Sequence, residues 1–513
     1  MRRIEKRHLI ELIETLNQAC ETLMRQEFNQ TFVDLCADIQ DFISGCFDYL
    51  MGCTGKETET AGKLQQMYEQ LLFVSRGEAG PETLKSCVCE IAACARDELH
   101  PDKIEAAFFC YKASMSDCLE SIYRAAKEDP SCDAYFIPIP YYDRNPDFSL
   151  GQLHYEGEGC YPDTYELTDW QEYDVKARQP DIIFIMNPYD ECNRVTSVHP
   201  DFYAAELRKF TDLLVYVPYF LEGAYIEPVS VISAGVVYAD RTIVQSEDAR
   251  KQYIEILSGK YPAIERDVWQ EKITALGTPK ADSGLLAKRD FGQLPDAWRA
   301  KLEEGAPGRK VLLYNLSIGM ALNLPDYVKK LRSVIELLKD REDVLLWWRP
   351  HPLLEDSLAL LRRGFLQDYK ALVKEYREGQ WGIYDDSEDF TRAITFADAG
   401  YGDIGSLNFL LQMAGKPVMI QNTGTAGKEP GMAGSREDAR ASMERFIEKE
   451  SYDCYMLYES DDTTGDMTLI DYISHLDVIK GYEKMLGEKY RAHFANADGS
   501  AGKKIYDAMK QLL

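Results

Sequence analysis

VLLWWRPHPLL, residues 344–354, and DDSEDFTRAITFADAGYGDIGSLNFLLQMAGKPVMIQN, residues 385–422, decide how this chain is read. Residues 344–348 are an apolar run of buried-strand length. The run empties into Arg349, Pro350, His351 and Pro352, where two prolines forbid helix and hold the backbone extended. A histidine therefore stands at the carboxyl end of a strand, where open α/β sheets gather their ligands. In the second stretch Phe390, Ala393, Ile394 and Ala397 keep helical spacing up to Asp398. Gly400, Gly402, Asp403, Gly405 and Ser406 then open another helix, with Leu407, Leu410 and Leu411 as its apolar residues, ahead of the strand-like VMIQN. Strand, helix, strand, helix, strand is the order of a parallel βα domain. A glycine-rich helix start leaves backbone N–H groups unpaired, and those donors together with the helix dipole favour phosphate.

Working outward, VLLYNLSIG begins this domain near Lys310, after the link LPDAWRAKLEEGAPG, which places a hinge at residues 276–309. Upstream, AYFIPIPYY, DIIFIMNPY, LLVYVPYFL and TIVQS are β-branched and aromatic runs that predict a first βα domain over 129–275. Three of them end in Pro-Tyr, at Tyr141, Tyr189 and Tyr219, and tyrosines released there either line a cleft or pack beneath a loop. Asn193, Thr196, Ser197 and His199 then crowd ahead of a helix whose first turn carries Pro200 and Asp201. They read either as a capped helix start or as groups facing a cleft.

Residues 1–128 predict an all-helical module. Apolar positions recur at i, i+3, i+4 and i+7 through residues 4–50, and helical pattern continues over 63–74, 81–99 and 101–126. Its helices are expected to cover one another, with a protein-partner surface as the alternative. The second βα domain is expected over 276–435, with a glycine-rich segment at 423–435, and helices over 436–513. A chain of 513 residues suits about three domains.

A net charge of −28 with no basic stripe argues against a nucleic-acid surface. There is no run of eighteen apolar residues and no apolar leader, so a cytoplasmic chain is expected. Arg2, Arg3, Lys6 and Arg7 read as a solvated helix start, with a peripheral foot on the inner face of a membrane as the alternative. Ten of the thirteen cysteines lie at or before Cys132 in helical pattern and are expected to be free thiols. Cys87, Cys89 and Cys94 lack zinc spacing. Asp385 and Asp386 read as the start of the following helix rather than a metal pair, so no obligatory metal or cofactor is expected.

The motifs resemble the CDP-glycerol glycerophosphotransferases of cell-wall teichoic acid synthesis. In that family a strand ends in His-Pro, as residues 349–352 do, and a later segment runs from an aspartate through Asp-Tyr-Ser-Ser into a helix and then Lys-Pro. Asp398, Asp403, Ser406, Lys416 and Pro417 match, while Ile404 and Gly405 replace the tyrosine and first serine. LGTPKADSG resembles the family's Gly-x-Pro-Arg-x-Asp element, with Lys280 for arginine and Asp282 retained. Ser317 approximates a Pro-Thr pair.

The resemblance implies a GT-B fold: an α/β pair of Rossmann-like domains, here behind a helical module, with a terminal helix crossing back to the first domain. It implies transfer of glycerol phosphate, or a related polyol phosphate, from CDP-glycerol or another nucleotide-diphosphate donor to an acceptor hydroxyl, such as that of a membrane-linked glycan or polymer. In that frame Arg349, Lys280, Asp403, Gly405 and Ser406 hold the donor, His351 serves its phosphate, and His199 takes the acceptor proton across the cleft. Tyr189, Asn193, Ser197, Tyr219 and Ser317 line that cleft. Two alternatives stay open: a GT-B enzyme that transfers or epimerises a nucleotide sugar, and a non-catalytic GT-B body with a helical interaction module.

Overall fold

The computed structural model describes residues 1–223, 225–304, 308–387, 389–428, 431–448, 456–461 and 464–513. Residues 305–307 of the expected link, 429–430 of the glycine-rich segment, and Cys454 lie outside the described residues. Four helices open the chain: α1 (Arg3–Leu23), α2 (Gln30–Thr54), α3 (Glu59–Ser75) and α4 (Glu82–Glu98). Asn29 and Thr58 cap α2 and α3 by accepting the N–H groups of Phe32 and Ala61. The apolar stripes, Leu9, Ile13 and Leu16 on α1 against Phe32, Cys36 and Ile39 on α2 among them, close into a core of their own.

The helical pattern expected over 101–126 is corrected by the structure. It divides into strand β1 (Ile104–Cys110) and helix α5 (Asp117–Glu128). Every residue of β1 is buried, because the strand is covered on both faces. A continuous apolar run satisfies helical spacing as readily as strand, so periodicity alone did not separate them.

The first domain continues with β2 (Cys132–Pro138), β3 (Tyr141–Arg144), β4 (Leu150–His154), β5 (Ile182–Ile185), β6 (Thr196–Val198), β7 (Leu213–Tyr216), β8 (Arg241–Val244) and β9 (Ile273–Ala275). Six of these form a parallel sheet in the order β2-β1-β5-β7-β8-β9. β4, β3 and β6 make a separate antiparallel sheet at its side. The second domain holds β10 (Lys310–Leu316), β11 (Val344–Pro350), β12 (Gly382–Tyr384), β13 (Ala399–Gly402), β14 (Val418–Ile420) and β15 (Leu457–Tyr458), all parallel, in the order β12-β11-β10-β13-β14-β15. On β11, Trp347 and Trp348 point to opposite faces and enter two different cores.

Counted within each domain, the strand orders are 2-1-3-4-5-6 and 3-2-1-4-5-6, the two doubly wound orders, with switch points between β1 and β5 and between β10 and β13. The fold is thus a GT-B-like pair of Rossmann-like βα domains behind an N-terminal helical region. Among the described residues no helix is long and apolar enough to cross a membrane.

Two segments bind the domains together. The helix Pro279–Leu286 lies against α5, with Lys280 paired to Asp117 and the Ser283 hydroxyl donating to Glu120 at 2.9 Å. Asp282, one residue from that hydroxyl, accepts the N–H of Gly502 at 2.8 Å and so caps the helix Ala501–Lys510. Ile505, Tyr506 and Met509 of this last helix enter the first domain's core. The chain end has therefore crossed back.

At the second switch point Gly402 has φ +150°, and a Cβ there would stand 1.8 Å from the backbone oxygen of Asn315. Only glycine lets β13 come this close to β10. Gly402→Ala is expected to lower stability by about 3 kcal/mol or more, since neither backbone can give way cheaply. Urea denaturation checks this, and a variant as stable as wild type would show that the strands part without cost.

Candidate functional site

The carboxyl ends of the two sheets meet in one cleft. Ser114, Met115, Tyr219 and Phe220 come from the first domain, and Asn315, Ser317, Arg349, His351, Phe390, Gly405 and Ser406 from the second, with Lys280 between them. The cleft, open to solvent on one side, offers about 160 Å³. That is room for a phosphate group. The Ser406 hydroxyl accepts the N–H of Leu221 at 3.2 Å, so the helix Ser406–Met413 is tied directly to the first domain. Ahead of it Gly405 is extended and nothing lies within 4 Å of where a side chain would begin, so the approach to the helix N-terminus is clear.

Arg349 is 5 % exposed and pairs with the fully buried Asp385 at 2.7 Å, while its other nitrogen donates to the carbonyl of Ser387 at 2.7 Å. Asp385 also accepts from the Trp347 indole at 3.0 Å. It is the counter-ion of Arg349, not the start of the next helix, which begins only at Thr391. The burial that hides this pair is costly unless every lone pair is used, and here backbone, indole and hydroxyl groups use them.

His351 accepts the N–H of Leu353 on Nδ1 at 3.1 Å, which leaves the proton of the neutral ring on Nε2. Burial first, and then the charges of Lys280, Arg349 and Lys112, push this imidazole down to about 4. At neutral pH it is an uncharged hydrogen-bond donor. Lys280 reaches Asp117 and stands 5.2 Å from the Phe390 ring centroid.

Asp403 lies under the cleft rather than in it. Its buried carboxylate accepts from the Ser317 N–H at 2.9 Å and from the Gln421 amide, and burial pushes it up to about 6. Ser317 in turn caps the helix Ile318–Asn323 by accepting the N–H of Met320. Two further matches of the resemblance are also structural. Asp398 accepts the N–H of Val311 and pairs with Lys480, at the opposite end of the sheet from the cleft, and Lys416 donates to the carbonyls that end the helix Thr391–Phe396.

On the first-domain side only Tyr219 of the expected residues lines the cleft. Tyr189 is mostly enclosed, near Glu222 and Tyr216. Asn193 closes its own turn by accepting the N–H groups of Val195 and Thr196, and Ser197 is buried against the Tyr203 hydroxyl at 2.9 Å. His199 accepts the N–H of Asp201 and sits among Tyr142, Trp170 and Phe202. It does not line the cleft with His351. The strand before it, β6, belongs to the antiparallel side sheet, so its end does not open at the carboxyl edge of the parallel sheet.

Sequence reasoning missed Asn315, whose amide donates to the Arg349 carbonyl at 2.9 Å, and Ser114 and Met115, which follow β1 into the cleft. The hidden strand concealed these last two. Among the described residues no three or more His, Cys, Asp or Glu side chains converge as a metal site.

No protein-family model and no curated protein matches the chain. Among solved structures it is similar to the wall teichoic acid polymerase TagF, at 13% identity and a TM-score of 0.42 over 88% of this chain and 97% of that one. It is also similar to S. aureus MnaA in its UDP co-structure, at 11% identity and 0.42 over 80% and 96%, and to a UDP-N-acetylglucosamine 2-epimerase, at 10% identity and 0.43 over 80% and 97%. The class of this protein, a two-domain GT-B-like α/β protein with a phosphate-sized interdomain cleft, rests on its own strand orders and crossing helix.

His351 is expected to remain neutral in the ligand-free protein until the pH nears 4. Its folded value lies below the ordinary 6.5, so unfolding takes up a proton between those limits, and the stability this ring contributes above pH 6.5 is lost as pH falls through the window. Asp403, pushed up, acts in the opposite sense, so the comparison must be with a variant. His351→Gln should show a smaller acid-side loss than wild type between pH 6.5 and 4. A His351 resonance, assigned by its loss in His351→Gln, that titrates near 6.5 would contradict the assignment.

Proposed function

We propose that this chain is an enzyme that transfers a polyol phosphate, of the glycerol phosphate kind, from a CDP-activated donor to an acceptor hydroxyl. What supports the reading is the meeting, in one phosphate-sized space, of the open N-terminus of the helix Ser406–Met413 with Arg349, Lys280 and the N–H of His351. The motif order from Lys280 to Lys416 adds the donor class. Such transfer asks little covalent help of the protein and much positioning and charge stabilisation.

The acceptor oxygen forms a new bond to the phosphorus that carries the polyol. The bond from that phosphorus to the bridging oxygen breaks, its electron pair stays on that oxygen, and CMP departs. The helix N-terminus and the neutral His351 ring donate hydrogen bonds to the diphosphate, while Arg349 and Lys280, each held by its own carboxylate, line the same space. The acceptor proton must leave to a first-domain base. His199, the residue expected as that base, stands outside the cleft lining and accepts the N–H of Asp201. Loss of a general base costs about a hundred- to ten-thousand-fold in rate. His199→Ala is therefore expected to change turnover by far less than that, as a steady-state assay would show.

Thermal shift with CDP-glycerol, CMP and UDP-sugars tests the donor. Cytidine ligands are expected to stabilise wild type, and Ser406→Glu, which puts a carboxylate at the helix start, to weaken them about tenfold or more without loss of fold. Stabilisation by UDP-sugars alone would move the reading to nucleotide-sugar chemistry, and stabilisation by no nucleotide would remove catalysis.

A further inference from the structure

The two walls of the cleft differ in charge and in what their polar groups already hold. On the second-domain side and at Lys280, every polar side chain that lines the cleft has a partner within the protein, as Lys280 has Asp117 and Arg349 has Asp385. The first-domain wall, Ser114, Met115, Tyr219 and Phe220, carries no charge. Its two hydroxyls, on Ser114 and Tyr219, take no hydrogen bond from any of the described residues, and neither is sealed away from the open cleft. Both are held by fixed surroundings. Ser114 is the middle residue of the turn Ala113–Met115 that follows β1, where the Ala113 N–H donates to Glu156 at 2.7 Å and the Met115 N–H to the Lys112 carbonyl at 3.1 Å. Tyr219 follows β7 and packs against the first domain's core, its ring edge-on to Phe220 with centroids 5.3 Å apart. β1 and β7 flank β5 on its two sides, so both hydroxyls stand beside the first sheet's switch point. Burial pushes the Tyr219 phenol well above its ordinary range, so it keeps its proton. A hydroxyl both donates and accepts, and a wall of two neutral hydroxyls set among carbon surface matches an alcohol rather than an anion.

We propose that Ser114 and Tyr219 form the acceptor subsite: their hydroxyls hold an uncharged aliphatic alcohol on the first-domain wall, with its reacting hydroxyl turned towards the phosphate held on the other wall. This rests on the transfer reading given above. Met115 and the rings of Tyr219 and Phe220 take the carbon skeleton of the alcohol. A hydrogen bond from the reacting hydroxyl to Ser114 leaves the lone pairs of that oxygen free to face phosphorus, which is the orientation that attack requires. Both residues bind and orient the acceptor, and neither is the base that takes its proton.

The test is a steady-state assay of the full chain with CDP-glycerol as donor and glycerol as the probe alcohol, for wild type, Ser114→Ala, Ser114→Thr and Tyr219→Phe, together with ligand-free melting. CMP release and transfer to glycerol are followed separately. Ser114→Ala and Tyr219→Phe are each expected to raise the KM for glycerol about threefold to tenfold, the loss of one hydrogen bond between neutral groups, while the KM for CDP-glycerol holds. Ser114→Thr, which keeps the hydroxyl, is expected to stay close to wild type. All three variants are expected to melt with wild type, because neither hydroxyl has a partner to lose. An unchanged KM for glycerol in both Ser114→Ala and Tyr219→Phe, an equal rise in the two KM values, or a variant that melts well below wild type or fails to fold would each overturn the subsite. The transfer reading fails separately. CMP release by wild type with no transfer to glycerol keeps the donor and removes the subsite, whereas no CMP release with any acceptor removes the reading and the subsite with it.

Discussion

One buried carboxylate holds the second domain's strand ends in place. Asp403 follows β13, accepts the backbone N–H and hydroxyl of Ser317 beyond β10, and accepts the amide of Gln421 beyond β14. Parallel strands end in unpaired backbone groups, and a carboxylate among them satisfies several at once. Removing it would leave those donors buried without partners, which costs more than the bonds themselves contributed. The platform so formed carries Arg349, Asn315 and the start of the helix Ser406–Met413 in fixed relation. Close approach of β13 to β10, permitted by Gly402, sets the spacing.

Charge at this platform is arranged against the character of the whole chain. A protein of net charge −28 repels anions at long range. Near the cleft the carboxylates are spent on internal partners: Asp385 on Arg349, Asp117 on Lys280, Asp403 on backbone and amide. Donors remain where ligands would arrive. The neutral His351 ring belongs to the same economy, since a second full charge beside Arg349 and Lys280 in low dielectric is disfavoured.

Domain docking and site assembly share residues. Lys280 faces the cleft from the helix whose Asp282 caps the terminal helix on the first domain, and Ser406 both opens the helix Ser406–Met413 and accepts from Leu221. A shift between domains therefore alters the site directly, in the manner of hinge-closing enzymes.

Local pattern was enough for much of this. The apolar run at 344–348 ending in Arg349-Pro-His-Pro, and the glycine-rich turn into Ser406, are short-range signals, and the structure brings these residues to one cleft. The helices of residues 3–98 were equally legible, since each buries one stripe. Other features depended on neighbours distant in sequence. β1 reads as helix until β2 and β5 flank it, and with it Ser114 and Met115 disappear from view. His199 follows a strand, but only the pairing of β6 with β3 decides that the strand leaves the parallel sheet. Asp398, Asp403 and Lys416 carry chemistry suited to a site, yet partners on other elements of the fold turn them into braces. A side chain's type states what it can bind. Which partner it meets is set by packing, because a buried polar group takes whatever donor or acceptor the fold brings within reach.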